Sequence, residues 1–193
     1  MEFDRVVKKR KSVRSFKKKR PSWKDILHVI DLANQGPFAG NHNHLRFLIV
    51  EDSEKIDKVA DLCEQGWIKE AKMIVLVCSD DAHLESMFGE RGRVYSRQQA
   101  GAAIQTFLLG LANLGVDSCW VGAYSDELVR EKLKIPHHIQ IEAVIPVGFQ
   151  QGREKKPDKK DLEKSLYWEE WGEDKRPSLF EEHREDYRPV SFR

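Results

Sequence analysis

The sequence predicts an α+β domain, and three observations predict it. Three apolar runs, Leu45–Val50, 73–78 and 139–149, have strand length and are rich in β-branched residues. Segments before and between them, at 22–34, 53–64 and 126–133, repeat apolar residues at helical spacing. The stretch 100–114 carries no charged residue in a chain that is 34% charged. A helix that is apolar all round is buried all round, in a core or against another subunit.

At 193 residues the chain suits one domain with a real core. A formal net charge of +1 and a pI near 7.7 argue against a general binder of nucleic acid or membrane surfaces. Three cysteines, Cys63, Cys78 and Cys119, are widely spaced and form no CxxC, which points to a reducing, cytoplasmic setting. The run 100–114, broken by Gln105, Thr106 and Asn113, is too short and too polar to span a bilayer. The N-terminal residues lack the apolar core of a signal peptide.

Taken in order, Phe3, Val6 and Val7 open a short amphipathic piece that passes into a basic run over 8–20. As a helix this run would bring Arg10 and Arg14 together, one turn apart. Arginine forks suit a phosphate or a polarised carbonyl oxygen, and Ser12 adds a hydroxyl. Val13 and Phe16 anchor the segment. The competing reading is a solvated arm or a nucleic-acid patch, whose binding would fall steeply with salt.

Ser22-Trp23-Lys24-Asp25 reads as a capping box opening a helix to about Asn34, with Ile26, Leu27, Val29, Ile30 and Ala33 as its stripe. Gln35-Gly36-Pro37 ends it. The loop 38–44 is rich in amides and imidazoles. It is either a surface turn or a rim able to read a heteroaromatic edge, since an amide donates and accepts at once. His42 and His44 lack a carboxylate or cysteine at metal-ligand spacing, so no metal is expected. Ser53 is placed as the cap of a helix through about Glu64. Residues 80–96 read as polar and irregular, a lid or a long connection.

After the helix at 100–114, Asn113-Leu114-Gly115 is a stop signal, with Gly115 suited to the left-handed conformation. In Cys119-Trp120-Val121-Gly122-Ala123-Tyr124, Gly122 leaves main chain open to a flat ligand. Ser125 or Asp126 caps a helix to Leu133, broken by Ile135-Pro136. Residues 155–160 form a second basic patch, and Leu162, Leu166, Trp168 and Trp171 give a short amphipathic turn. The domain is expected over 1–172. Phe180, Tyr187 and Phe192 punctuate a charged tail, 173–193, expected to pack on a partner subunit.

No Ser-His-Asp order, P-loop or GxGxxG is present. A site without its own nucleophile fits an organic cofactor that carries the chemistry while the protein binds and orients it.

Four segments in order resemble the nitroreductase family of FMN-dependent oxidoreductases. Arg10-Lys11-Ser12-Val13-Arg14-Ser15-Phe16 is similar to R-[RK]-S-x-R-x-[FY]. The stretch from Gly36-Pro37-Phe38-Ala39-Gly40-Asn41 to Phe47 resembles A-P-S-x-x-N-x-Q-P-W-x-F. Residues 99–122 resemble the family's long dimer helix and its L-G-x-x-x-C-W-x-G continuation. Ile145-Pro146-Val147-Gly148-Phe149, with Lys159 and Leu162-Glu163 downstream, resembles I-P-x-G-Y and K-x-R-x-P-L-E.

The resemblance implies a sandwich with a mostly antiparallel central sheet flanked by helices, in an intertwined homodimer with shared active sites. It implies FMN as cofactor, NADH or NADPH as reductant, and a small electron-poor acceptor of nitroaromatic or quinone type. It gives no role to nucleic acid or membrane. Arg10, Lys11 and Ser12 would hold the phosphate, with Lys159 closing the clamp, and Arg14 would lie at the flavin N1/O2 edge as the catalytic residue. Pro37, Phe38, Ala39, Asn41 and Asn43 would come from the other subunit to the ring, and main chain at Val121, Gly122 and Ala123 would face it near N5. A relative with dehalogenating or flavin-fragmenting chemistry, and a flavin-binding protein without turnover, are the alternatives. The chain departs from the family pattern at Phe38 (for Ser), Asn43-His44 (for Gln-Pro), Gln99 (for Asp), Pro157 (for Lys) and Lys159 (for Arg).

Overall fold

The computed structural model describes residues 2–154 and 156–175. The chain divides into two compact units, the first ending at Lys156 and the second beginning at Pro157. The aromatic positions expected to line the tail, Phe180, Tyr187 and Phe192, lie outside the described residues, as does Lys155.

The first unit is built on a four-stranded sheet in the order β1-β2-β4-β3. The strands are β1 (Leu45–Val50), β2 (Met73–Ser79), β3 (Asp117–Ser118) and β4 (Gln140–Gly148), and every neighbouring pair is antiparallel. Helices cover both faces. On one, Met73, Val75 and Val77 of β2 and Ala143, Ile145 and Val147 of β4 pack against α2 (Trp23–Ala33) and α5 (Arg91–Leu114). On the other, Ile74, Leu76 and Cys78 meet α3 (Ser53–Leu62) and α6 (Asp126–Leu133). Antiparallel sheets usually leave one face to water. Here neither face is wet, which is why β2 reads as the unbroken apolar run MIVLVC with every residue buried. The expected α+β architecture with a mostly antiparallel sheet flanked by helices is present.

β2 and β4 slip register between Val77 and Cys78: Val77 faces Ala143 and Cys78 faces Ile141, leaving Glu142 as the extra residue of a β-bulge. The apolar run at 139–149 gives no hint of this slip, and the bulge decides where Glu142 points.

Some boundaries differ from the sequence reading. Asp52, not Ser53, caps α3, its carboxylate accepting from the Lys55 N–H at 2.9 Å. Ser22 stands at the start of α2 without a side-chain capping bond. The largest correction concerns 80–96, which is helical: α4 (Ala82–Phe88) and then the first turns of α5. The buried positions there are Asp81, Leu84, Gly92 and Ser96, with Gln99 one turn further on. Small and polar residues fill the inward face, so no apolar period is visible. A Cβ on Gly92 would collide with the Leu84 carbonyl, so glycine is what lets α4 lie against α5.

α5 is also less uniformly buried than its composition suggests. Ala100, Ala103, Ile104, Phe107, Leu108 and Leu111 face the core. Gly110 meets Val29 of α2, while Gly101, Ala102 and Leu109 remain partly open and Gln105 is exposed. Gly115 closes the helix with φ 77°, in the left-handed region, as its stop signal requires.

In the second unit a short 3-10 turn spans Leu162–Ser165, and the rings of Tyr167 and Trp171 meet at 4.9 Å. Trp171 is 91% exposed, and Leu162 and Leu166 are also open, so the amphipathic turn read there buries no stripe of its own.

Candidate functional site

α1 (Phe3–Lys9) ends before the basic cluster does. Arg10 leaves the helix with ψ 127°, and the residues after it are extended. The expected convergence of Arg10 and Arg14 over a helical turn therefore does not occur. Alternation does the work instead. In extended chain, residues two apart point the same way, so Arg10, Ser12 and Arg14 share the outward face while Val13 is fully buried.

The sheet fixes this segment. Ser12 bridges Ser118 in parallel, and the Val13 N–H donates to the Ser118 carbonyl at 3.0 Å. Beyond it the Lys17 N–H donates to Phe149 O at 2.8 Å, and the Gln151 N–H to Ser15 O at 2.9 Å. The buried Cys119 thiol lies within reach of the segment: burial pushes its pKa up, while Arg14, Ser12 and Arg10 pull against that. Lys11, on the other face, donates through Nζ to the Glu154 carbonyl at 2.7 Å. Lys156 donates to the carbonyls of Val7 and Lys8 and so caps α1.

Immediately after Cys119 the chain gives the open backbone its sequence promised. Val121 bridges Val144 and is buried, whereas Gly122 and Ala123 are exposed, with nothing within 4 Å of where a Gly122 Cβ would sit. The first set of expected site residues, Arg10, Lys11, Ser12, Arg14 and 121–123, is thus brought to neighbouring edges of the sheet. Lys159 falls in the second unit.

The second set lies elsewhere. Pro37, Phe38 and Ala39 form one wall of a pocket of about 380 Å³, whose other wall is Tyr95, Gln98, Gln99 and Ala102 of α5. Asn41 is in the left-handed region with φ 55° and is exposed. Asn43 is committed within the chain: its amide donates to Asn34 Oδ1 and its oxygen accepts from the Leu45 N–H, both at 3.0 Å. The Arg10 segment instead borders Leu108 and Ala112, near the other end of α5. Along α5 the two linings are offset by six residues at the least, Ala102 to Leu108, and by thirteen from Gln99 to Ala112, about 9 to 20 Å at 1.5 Å per residue.

One polar cluster was not anticipated. His44, Ser79, Asp81, Ser96, Arg97 and Glu142 meet where β1, β2, α5 and the β4 bulge converge. Ser96 Oγ donates to Asp81 at 2.5 Å and lies 2.8 Å from His44 Nε2. Arg97 binds Asp81 at 2.7 Å and also pairs with Glu142. Burial pushes the Glu142 carboxyl up, opposed by Ser79 and Arg97. The signal in the sequence was Glu142 itself, a lone charge inside an otherwise apolar strand. Among the described residues no helix is long and apolar enough to cross a membrane.

The chain and its fold are similar to known proteins. The chain is 28% identical over 160 residues to the iodotyrosine deiodinase of Thermotoga neapolitana, covering 75% of this chain and 86% of that protein. It is 28% identical over 154 residues to a putative NADH dehydrogenase/NAD(P)H nitroreductase of Methanothermobacter thermautotrophicus, covering 77% and 78%. Its fold superposes with TM-score 0.72 and 25% identity on oxidised iodotyrosine deiodinase bound to FMN and 3-iodo-L-tyrosine, covering 83% of this chain and 96% of that one. The sequence profile of the Nitroreductase family matches residues 7–149, and the chain belongs to that family.

Proposed function

We propose that the chain is a homodimeric FMN-dependent oxidoreductase that moves electrons from NADH or NADPH to an electron-poor small molecule of nitroaromatic or quinone type. The observation that carries this reading is the shared outward face of Arg10, Ser12 and Arg14, pinned beside Ser118, with exposed backbone at Gly122 just beyond. This donor set fits FMN: Arg10 and Ser12 take the phosphate, and Arg14 takes the ring edge where negative charge develops. Lys11, held by the Glu154 carbonyl, adds positive charge at longer range. When bound, FMN supplies hydride acceptance at N5 and electron delivery from the same face.

The placement of the two sets along different stretches of α5 supports a site shared between subunits. One chain's Arg10 segment and the other chain's Pro37–Asn43 loop can frame one ring. The partly open α5 face at Gly101 and Ala102 is the surface offered to the second copy. The domain over 1–172 and a cytoplasmic setting belong to the same reading.

The test is the visible spectrum of the purified protein before and after anaerobic NADH or NADPH. A yellow protein that bleaches, and recolours when a quinone is added, is the expected result. A colourless protein that cannot be loaded with FMN overturns the reading. Reductive dehalogenation of a halogenated phenol is the second reading, favoured by the similarity to a deiodinase. Halide release from 3-iodotyrosine under reducing conditions, faster than nitroaromatic turnover, would select it.

A further inference from the structure

Gln99 is 6% exposed, yet neither Nε2 nor Oε1 of its carboxamide has a hydrogen-bond partner. An orphaned buried amide is costly, and a leucine would fill the same space without the cost. Its neighbour one turn back cannot relieve it, because Ser96 is already engaged with His44 and Asp81. What Gln99 does border is the pocket between the 37–39 loop and α5. At about 380 Å³ that pocket has the size of a small-molecule site. Pro37, Phe38, Ala39 and Ala102 give it apolar walls, Tyr95 and Gln98 line it as well, and a polar group buried among such walls fixes a ligand's orientation.

We propose that Gln99 is a specificity-determining residue that reads the edge of a flat aromatic ring held in this pocket. A carboxamide presents a donor and an acceptor side by side. Its complement is a ring N–H next to a ring carbonyl, the edge of an imide or lactam. Two sources carry that chemistry: the flavin's own pyrimidine edge, in which case the inference rests on the function proposed above, or a separate ring-shaped acceptor.

The test compares lumiflavin, which has one such N–H, with 3-methyllumiflavin, in which it is blocked. Binding is followed by fluorescence quenching in the FMN-free and FMN-loaded full-length protein. The wild type should prefer lumiflavin by at least about tenfold. Gln99→Leu should bring the ratio near one while leaving the thermal stability of the ligand-free protein equal or higher, an effect a purely structural hydrogen bond would not produce. If Gln99→Leu does not fold, Gln99→Met makes the same comparison. Preference retained in the FMN-loaded protein identifies a separate ring as the occupant; competition by FMN identifies the flavin's edge. Failure of FMN to load sinks the proposed function alone, because the FMN-free comparison still decides the role of Gln99. No lumiflavin binding, no preference in the wild type, or a preference that the substitution leaves unchanged overturns the inference.

Discussion

The carboxylate of Glu154 accepts from the main-chain N–H of Arg14, at 3.2 Å through one oxygen and 3.3 Å through the other. A negative group thus stands in the middle of the segment whose outward face is arranged for an anion. The bond is bifurcated and long, so it is weak. A bound phosphate would be repelled by it. Glu154→Gln keeps an acceptor for the N–H and removes the charge. FMN affinity should rise by about three- to tenfold, the scale of one partly screened charge contact. Fluorescence titration of the FMN-free protein measures it, and unchanged affinity would place the phosphate away from Glu154.

Arg14 is exposed, so it is cheap to remove structurally. Its proposed work is electrostatic, at the ring edge that gains negative charge on reduction. Removing a donor aimed at developing charge costs rate more than binding. Arg14→Ala should slow anaerobic reduction by NADH or NADPH by about 10- to 100-fold while weakening FMN binding far less. Stopped-flow reduction beside a binding titration separates the two, and equal losses in both would assign Arg14 to binding only.

Much of this was legible in the sequence because it rests on period and composition. The two-sided burial of β2 is written in MIVLVC, and the end of α5 in Asn113-Leu114-Gly115. The basic cluster was found but given the wrong backbone: a helical turn and an extended segment both bring Arg10 and Arg14 to one face, and spacing four apart cannot separate them. What stayed hidden depends on long-range geometry. The inward face of α5 at Gly92, Ser96 and Gln99 carries no apolar residue to betray a helix. The role of Glu142 follows from a register slip that only the pairing with β2 reveals.

The dimer is testable on α5. Ala102 is partly open in the single chain, and neighbouring Gly101 has nothing within 4 Å of an added Cβ. An arginine at 102 should leave the monomer fold intact and bury an unpaired charge in the interface. Ala102→Arg is therefore expected to shift the protein from dimer to monomer in light scattering, with FMN lost at the same time. A dimer that persists with full FMN would move the interface off this face.

Gly92 makes the opposite case, an internal contact with no slack. An added Cβ meets backbone of Leu84 and Glu85, not the end of a flexible side chain, so one helix must move. Gly92→Ala gains helix propensity of about 1 kcal/mol, but overpacking against main chain outweighs it. Net destabilisation of about 1–3 kcal/mol is expected in urea unfolding. A variant as stable as the wild type would mean that α4 does not sit tightly on α5.

The His44 ring supplies a pH prediction with a definite sign. Ser96 Oγ spends its proton on Asp81, so it accepts from His44, and His44 Nε2 carries the hydrogen. Nδ1 is then bare and buried without a partner. Protonating it would place a charge in a site where burial opposes it. Burial accordingly pushes the pKa below 6.5, more than nearby Asp81 raises it; the His42 ring and Arg97 push the same way as burial, and the His42 backbone opposes it. The unfolded chain therefore takes up the proton first as pH falls. Stability is full above 6.5, declines from there down to the folded pKa, and is level below it. Glu142 contributes the reverse slope, because its raised carboxyl pKa costs stability as pH rises above 4.5. That contribution is shared by a His44→Gln variant, which keeps a donor for Ser96 and cannot titrate. The difference between wild type and variant isolates His44: the wild type should lose up to about 1.4 kcal/mol per pH unit more than the variant on acidification below 6.5. Urea midpoints measured between pH 7.5 and 4.5 check it, and parallel curves for the two proteins would show that His44 is not held neutral by its burial.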